Sequence, residues 1–231
     1  MGLDCVLVGS DSQFFTGSYQ PVIEKVFAAL KSDHPDLPAP AIGTTAGEDL
    51  SGRVGSYGAI HYLRHYAAHL AINGCPPENP FQDGKHPLLG DVYRGRYKID
   101  KFRHLIEHSD CDGFYVPIDF PDPVSLDVRS SEFAEEEEAQ KRSWFSRIFL
   151  IFFPQLNRSA LTTIGSSQRL LAELDELNLS LKMKGDLGQL GQDQCRQMIE
   201  DDPWHNEKWV WATLHWLARE SVERSLILEF C

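Results

Sequence analysis

The densest chemistry in the chain lies between His104 and Asp119, in HLIEHSDCDGFYVPID. His104, Glu107 and His108 spell H-x-x-E-H. On a helix this order sets two imidazoles one turn apart, so both can face one zinc ion. The glutamate then sits close enough to act as general base on a metal-bound water. One reading is therefore a zinc-dependent hydrolase, with His104 and His108 as ligands and Glu107 as base. A third ligand would come from Glu173 or Glu176. The competing reading is structural: imidazoles at a helix end that cap carbonyls or meet acids. Three set positions in five residues specify little, so the structural reading is preferred. No catalytic residue, metal or cofactor is then expected.

The other clusters carry less. His61, His65 and His69 recur every four residues and share a helix face, as a metal ladder or a polar stripe. A catalytic zinc site would add an acid that this helix lacks. Asp110 and Asp112 precede Gly113, but the chain then enters an apolar strand and never supplies the ligand series of a calcium loop. They suit a turn, or a contact with a partner. GSSQR around Gly165 does not match the G-x-S-x-G elbow of serine hydrolases, and Cys111 lacks the flanks of a nucleophilic cysteine. Gly43, Gly47, Gly52, Gly55 and Gly58 match neither a Walker loop nor a dinucleotide fingerprint.

Periodicity supplies the elements that must position these groups. Leu3 to Val8 reads as a buried strand, and Pro21 to Leu30 as a helix opened by proline. Residues 34–58, rich in proline and glycine, read as one long loop. Tyr57 to Ile72 is a strong helix closed by Gly74. Ile99 to His108 reads as a helix and Phe114 to Phe120 as a strand. Residues 121–159 read as an exposed insertion, with Glu135 to Glu138 and then SWFSRIFLIFF. Thr162 to Ile164 suggests a brief strand, and Ser166 or Ser167 caps a helix reaching Leu181. Pro203 to Arg224 is apolar on nearly all sides, as a core helix is, and Leu226 to Phe230 closes the chain as a strand. The class expected is α+β: a helix-rich single domain over 1–231, with a small sheet of N-terminal, central and C-terminal strands.

Composition narrows the partners. Thirty-four acids against 22 Lys and Arg leave a formal net charge of −12. Such a surface repels phosphate backbones and anionic bilayers, so nucleic acid and membrane are set aside. It suits a basic protein partner, where opposite charge speeds encounter. The longest apolar run, Ile148 to Phe153, falls far short of the ~20 residues that span a bilayer. Five widely spaced cysteines and no secretory leader point to reduced thiols and a cytoplasmic protein.

Two resemblances follow from quoted residues. HLIEH resembles the signature of the inverted zincins, which implies the zinc alternative above. HSDCDGFYVPIDF, GSSQRLLAELDEL and LILEF together resemble small soluble bacterial proteins of the immunity type. That second resemblance implies a non-enzymatic protein that masks its partner through exposed acids, with Asp110, Asp112 and Asp119 as contacts. A third reading is an assembly protein that docks through residues 144–153, using Trp144 and Phe149. The leading expectation is the acidic, immunity-like binding protein.

Overall fold

The computed structural model describes residues 2–13, 15, 19–33, 35, 39–56, 58–81, 87–108, 113–127, 161–183 and 199–230. The alternation in LDCVLV sets the architecture. In β1 (Gly2–Val8) Leu3, Cys5 and Leu7 enter one apolar cluster, while Val6 and Val8 face the other. A strand that is apolar on both faces must be covered on both, and here it is. β1 pairs antiparallel with β2 (Ser51–Ser56) on one side and β6 (Ile227–Phe230) on the other. β6 continues to β3 (Phe114–Val116), then β5 (Leu161–Ser166) and β4 (Val124–Asp127), giving the order β2-β1-β6-β3-β5-β4. Among the described residues only the β3–β5 pairing is parallel. The class is α+β, as expected, and the N-terminal, central and C-terminal strands are neighbours.

One face of the sheet is covered by α1 (Gln20–Asp33), whose Ile23, Val26 and Leu30 meet Phe114, Val116, Ile164 and Ile227. The other face carries the larger core. It holds α2 (Ala59–Asn73), α3 (Pro87–Tyr93), α4 (Arg103–Ile106), α5 (Ser167–Leu181) and α6 (His205–Arg224). α6 lies centrally, with Val210, Trp211, Leu214 and Leu217 buried. Trp211 donates its indole N–H to Leu174 O at 2.7 Å, which satisfies the polar atom of a buried ring. α5 begins where the sequence predicts. Ser166 accepts a hydrogen bond from the Arg169 N–H at 3.2 Å, an N-cap. α2 ends at Gly74 (φ 72°), whose N–H reaches Leu70 O.

Four expectations change. The end of the 34–58 loop is the edge strand β2: SGRVGS lacks apolar periodicity, and pairing with β1 supplies its order instead. The helix expected over Ile99–His108 shrinks to α4, because Phe102 adopts φ 58° and breaks the turn before it. A left-handed aromatic residue costs on the order of 1–2 kcal/mol, which complete burial of its ring offsets. The strand from Phe114 stops at Val116 because Pro117 has no N–H for the ladder. Residues 124–127, placed in the insertion, form β4 at the sheet edge. The rest of that insertion, with Glu135–Glu138 and the 144–153 segment, lies outside the described residues.

Candidate protein-binding surface

The H-x-x-E-H groups diverge. His104 is buried, and its Nδ1 accepts the Ser166 N–H at 3.0 Å while Nε2 lies 3.2 Å from Pro121 O. Only the neutral tautomer protonated at Nε2 serves both contacts. Burial holds its pKa near 4, well below the ordinary 6.5. His108 places Nε2 3.1 Å from Phe114 O and stacks on Tyr115 at 4.0 Å. Glu107 points outward into an ion pair with Arg103. Glu173, the proposed third ligand, turns its carboxylate to the His104 and Leu105 N–H groups at 3.0 and 2.8 Å. In this conformation the two imidazoles and two carboxylates serve backbone and arginine partners instead of one shared point. Among the described residues no three His, Cys, Asp or Glu side chains converge as a metal set. In the second histidine series the His65 and His69 rings stay 6.3 Å apart, but His65 packs on Phe81 and His69 Nδ1 meets Cys75 O at 2.9 Å.

What the segment forms is a clamped joint. Glu173 caps the start of α4, and the buried Arg64 caps its end through Leu105 O (2.8 Å) and His108 O (2.7 Å). Tyr115 donates its hydroxyl to His104 O at 2.8 Å. Its ring lies across β5 at Gly165, its partner in the ladder; a Cβ there would overlap the ring. This joint ties α2, α4 and α5 to the central strands.

Its two titrating members act in opposite directions. Burial raises Glu173 from 4.5 to about 7, against the backbone N–H bonds, His104 first, that favour its charge. The fold therefore holds the Glu173 proton more tightly than the unfolded chain does. That contribution is complete below pH 4.5 and is lost as pH rises through 7. His104 does the reverse: its contribution is complete above pH 6.5 and is lost as pH falls through 4. From 4.5 to 6.5 the slopes oppose. Glu173→Gln keeps a carbonyl acceptor and removes the titration. Its stability, read as urea midpoints across this range, is expected to climb with pH more steeply than the parent's. Parallel profiles would refute the assignment.

The surface outside the joint carries the charge. Among the described residues Asp119 is exposed and pairs with Arg169 at 2.6 Å. Asp110, Asp112, Trp144 and Phe149, the other contact candidates, lie outside the described residues. An acid corner arises instead where three distant segments meet. Asp11, just after β1, accepts the Thr45 N–H at 2.9 Å and the Thr45 hydroxyl at 2.9 Å. These bonds, the Thr45 N–H first, hold its carboxyl below the ordinary range. Arg224 at the end of α6 bridges Glu48 (2.6 Å) and Glu220 (3.8 Å), and donates to Thr45 O at 3.1 Å. Asp49 and Glu223, next to these in sequence, are exposed. The segments close on Gly43, whose N–H reaches Ser225 O at 2.8 Å. A Cβ at Gly43 would overlap the Arg224 carbonyl oxygen. Sequence reasoning misses this corner because Glu48 and Arg224 stand 176 positions apart. No local spacing links them.

The fold and this surface define an α+β protein whose acids are set in place by backbone and arginine contacts. The chain belongs to the family described as "Putative DNA-mimic protein", whose model matches residues 10–230. No curated protein and no solved structure matches the chain. Two expectations are corrected by the family. It is not of the immunity type. The partner expected above, a basic protein with nucleic acid set aside, gives way: the family's description names an imitation of DNA, which points to proteins that bind DNA. Excess negative charge repels DNA, but it also reproduces what DNA presents to its readers. No described helix is long and apolar enough to cross a membrane.

Proposed function

We propose that this protein is a non-enzymatic DNA mimic that occupies the phosphate-binding surface of a DNA-binding protein and so competes with DNA. The observation that carries the reading is the family match over residues 10–230. The net charge of −12 supports it, because phosphate contacts supply much of the affinity of DNA-binding proteins. Asp11, Glu48 and Glu220 are the described acids best suited to stand in for phosphates. A mimic gains when its charges are set before binding, since little order is then lost on association. Asp11 meets that condition through its bonds to Thr45, and Glu48 through Arg224.

The test uses the immobilised full chain and a heparin-retained proteome fraction, which is rich in DNA-binding proteins. Proteins held by the chain and displaced by duplex DNA are identified. Each is then assayed by gel shift with its own DNA. The expected result is a DNA-binding protein whose complex with DNA dissolves as the mimic is added, less effectively at higher salt. Retention of proteins that still bind their DNA fully in the presence of the chain would defeat the proposal.

A further inference from the structure

Between α3 and α4 this acidic chain changes sign. Residues 93–103 read YRGRYKIDKFR, with five cations and one acid. The backbone turns at Gly95 (φ 70°), whose N–H returns to Val92 O at 2.8 Å. Arg94 and Arg96 both place Nη1 2.9 Å from the same Asp91 oxygen. One carboxylate shared by two guanidiniums leaves positive charge and further donors facing solvent. Their side chains are 59% and 63% exposed. Tyr93 and Tyr97 are 51% and 43% exposed, and Leu179 is the other large apolar side chain so exposed among the described residues. Beside them opens a shallow pocket of about 620 Å³, lined by Tyr93, Tyr97, Lys98 and Arg103 and also by Asp100, 3.6 Å from Lys98, and Glu107, 3.0 Å from Arg103, so the unshared positive charge sits on Arg94 and Arg96. None of the three acid-corner segments lines it.

We propose that this loop binds single-stranded nucleic acid, with phosphates on Arg94 and Arg96 and unpaired bases stacked on Tyr93 and Tyr97. Guanidinium forks match phosphate oxygens. Exposed aromatic rings beside a cationic track are the usual means of holding a strand without reading its sequence. A duplex keeps its base faces stacked and offers the tyrosines nothing. An acidic peptide, or the acid corner of a second copy, would satisfy the arginines yet leave both rings unused. The molecule's negative charge slows approach, but charges beyond ~8 Å are largely screened at physiological salt, so the local patch governs contact. The inference stands apart from the mimic reading and uses different residues.

Fluorescence anisotropy of the full chain with labelled oligothymidylate, starting at physiological salt, tests it, against a duplex of equal length and polyglutamate. Oligothymidylate is expected to bind more tightly than either competitor, and more weakly as salt rises. Arg94→Gln with Arg96→Gln is expected to weaken binding about tenfold. Tyr97→Leu is expected to weaken it about fivefold or more, and Tyr97→Phe to retain it. These side chains are exposed, and far-ultraviolet circular dichroism checks that each variant folds. Failure to bind oligothymidylate, equal binding of polyglutamate or duplex, or indifference to Tyr97→Leu would each overturn the proposal. Self-association lost in the arginine variant, without oligothymidylate binding, would assign the loop to a second copy and also overturn it.

Discussion

Arg64→Met is expected to lower the unfolding free energy by about 3 kcal/mol or more, because two buried carbonyls lose a charged donor. Leu105 lies in the last turn of α4 and His108 two residues beyond its end, and the Arg64 guanidinium donates to both carbonyls. Arg64 is 1% exposed, so water cannot replace its guanidinium without opening the core. Methionine fills much of the volume and supplies no donor. Arg64→Lys retains the charge but offers a compact ammonium in place of a planar fork, and cannot hold both carbonyls at the present spacing. It is expected to fall between parent and Arg64→Met. Urea unfolding followed by tryptophan emission measures both, since Trp211 reports on the same core. A midpoint for Arg64→Met equal to the parent's would show that the joint around His104 and His108 holds without its cap.

Asp11→Asn, Glu48→Gln and Glu220→Gln combined are expected to weaken competition with DNA about tenfold, near 1.4 kcal/mol. The target is the DNA-binding protein recovered by DNA displacement. Each exposed charge contributes only ~0.2–1 kcal/mol, so the effect requires all three. The amides keep shape and hydrogen-bonding capacity, and stability is expected to change little. The salt dependence of competition is expected to flatten. Gly43→Ala is the complementary variant. It keeps every charge but forces the 43–48 segment away from Arg224, and should weaken competition by disarray alone. If the triple variant competes as well as the parent, the mimicking face lies elsewhere on the molecule.

Much of the fold is legible in the residues. Short, nearly continuous apolar runs mark β1, β3 and β6, because a strand covered on both faces admits few polar side chains. Period-3.6 patterning marks α2, α5 and α6, and Gly74 and Ser166 announce their ends chemically. β2 is not legible, since its order comes from the neighbour whose backbone it pairs with. The candidate site shows the same divide more sharply. His104 and His108 are conspicuous in sequence because their spacing is local. Their contacts are not: Ser166, Pro121 and Phe114 arrive from other segments. The acid corner is invisible in sequence for a related reason. Electrostatic surfaces sum over space, and Asp11, Glu48 and Glu220 become neighbours only once β1 and α6 are packed.

By itself the chain's composition determined a strong negative charge, and its periodicity determined a helix-rich α+β protein with a small sheet of N-terminal, central and C-terminal strands. These properties depend on residue type and local spacing. Only the tertiary structure decided that the histidine–glutamate cluster serves as a joint, that β2 completes the sheet edge, and that three distant acids share one surface. Partnership between remote segments is set by packing, and packing is not written in any short window of sequence.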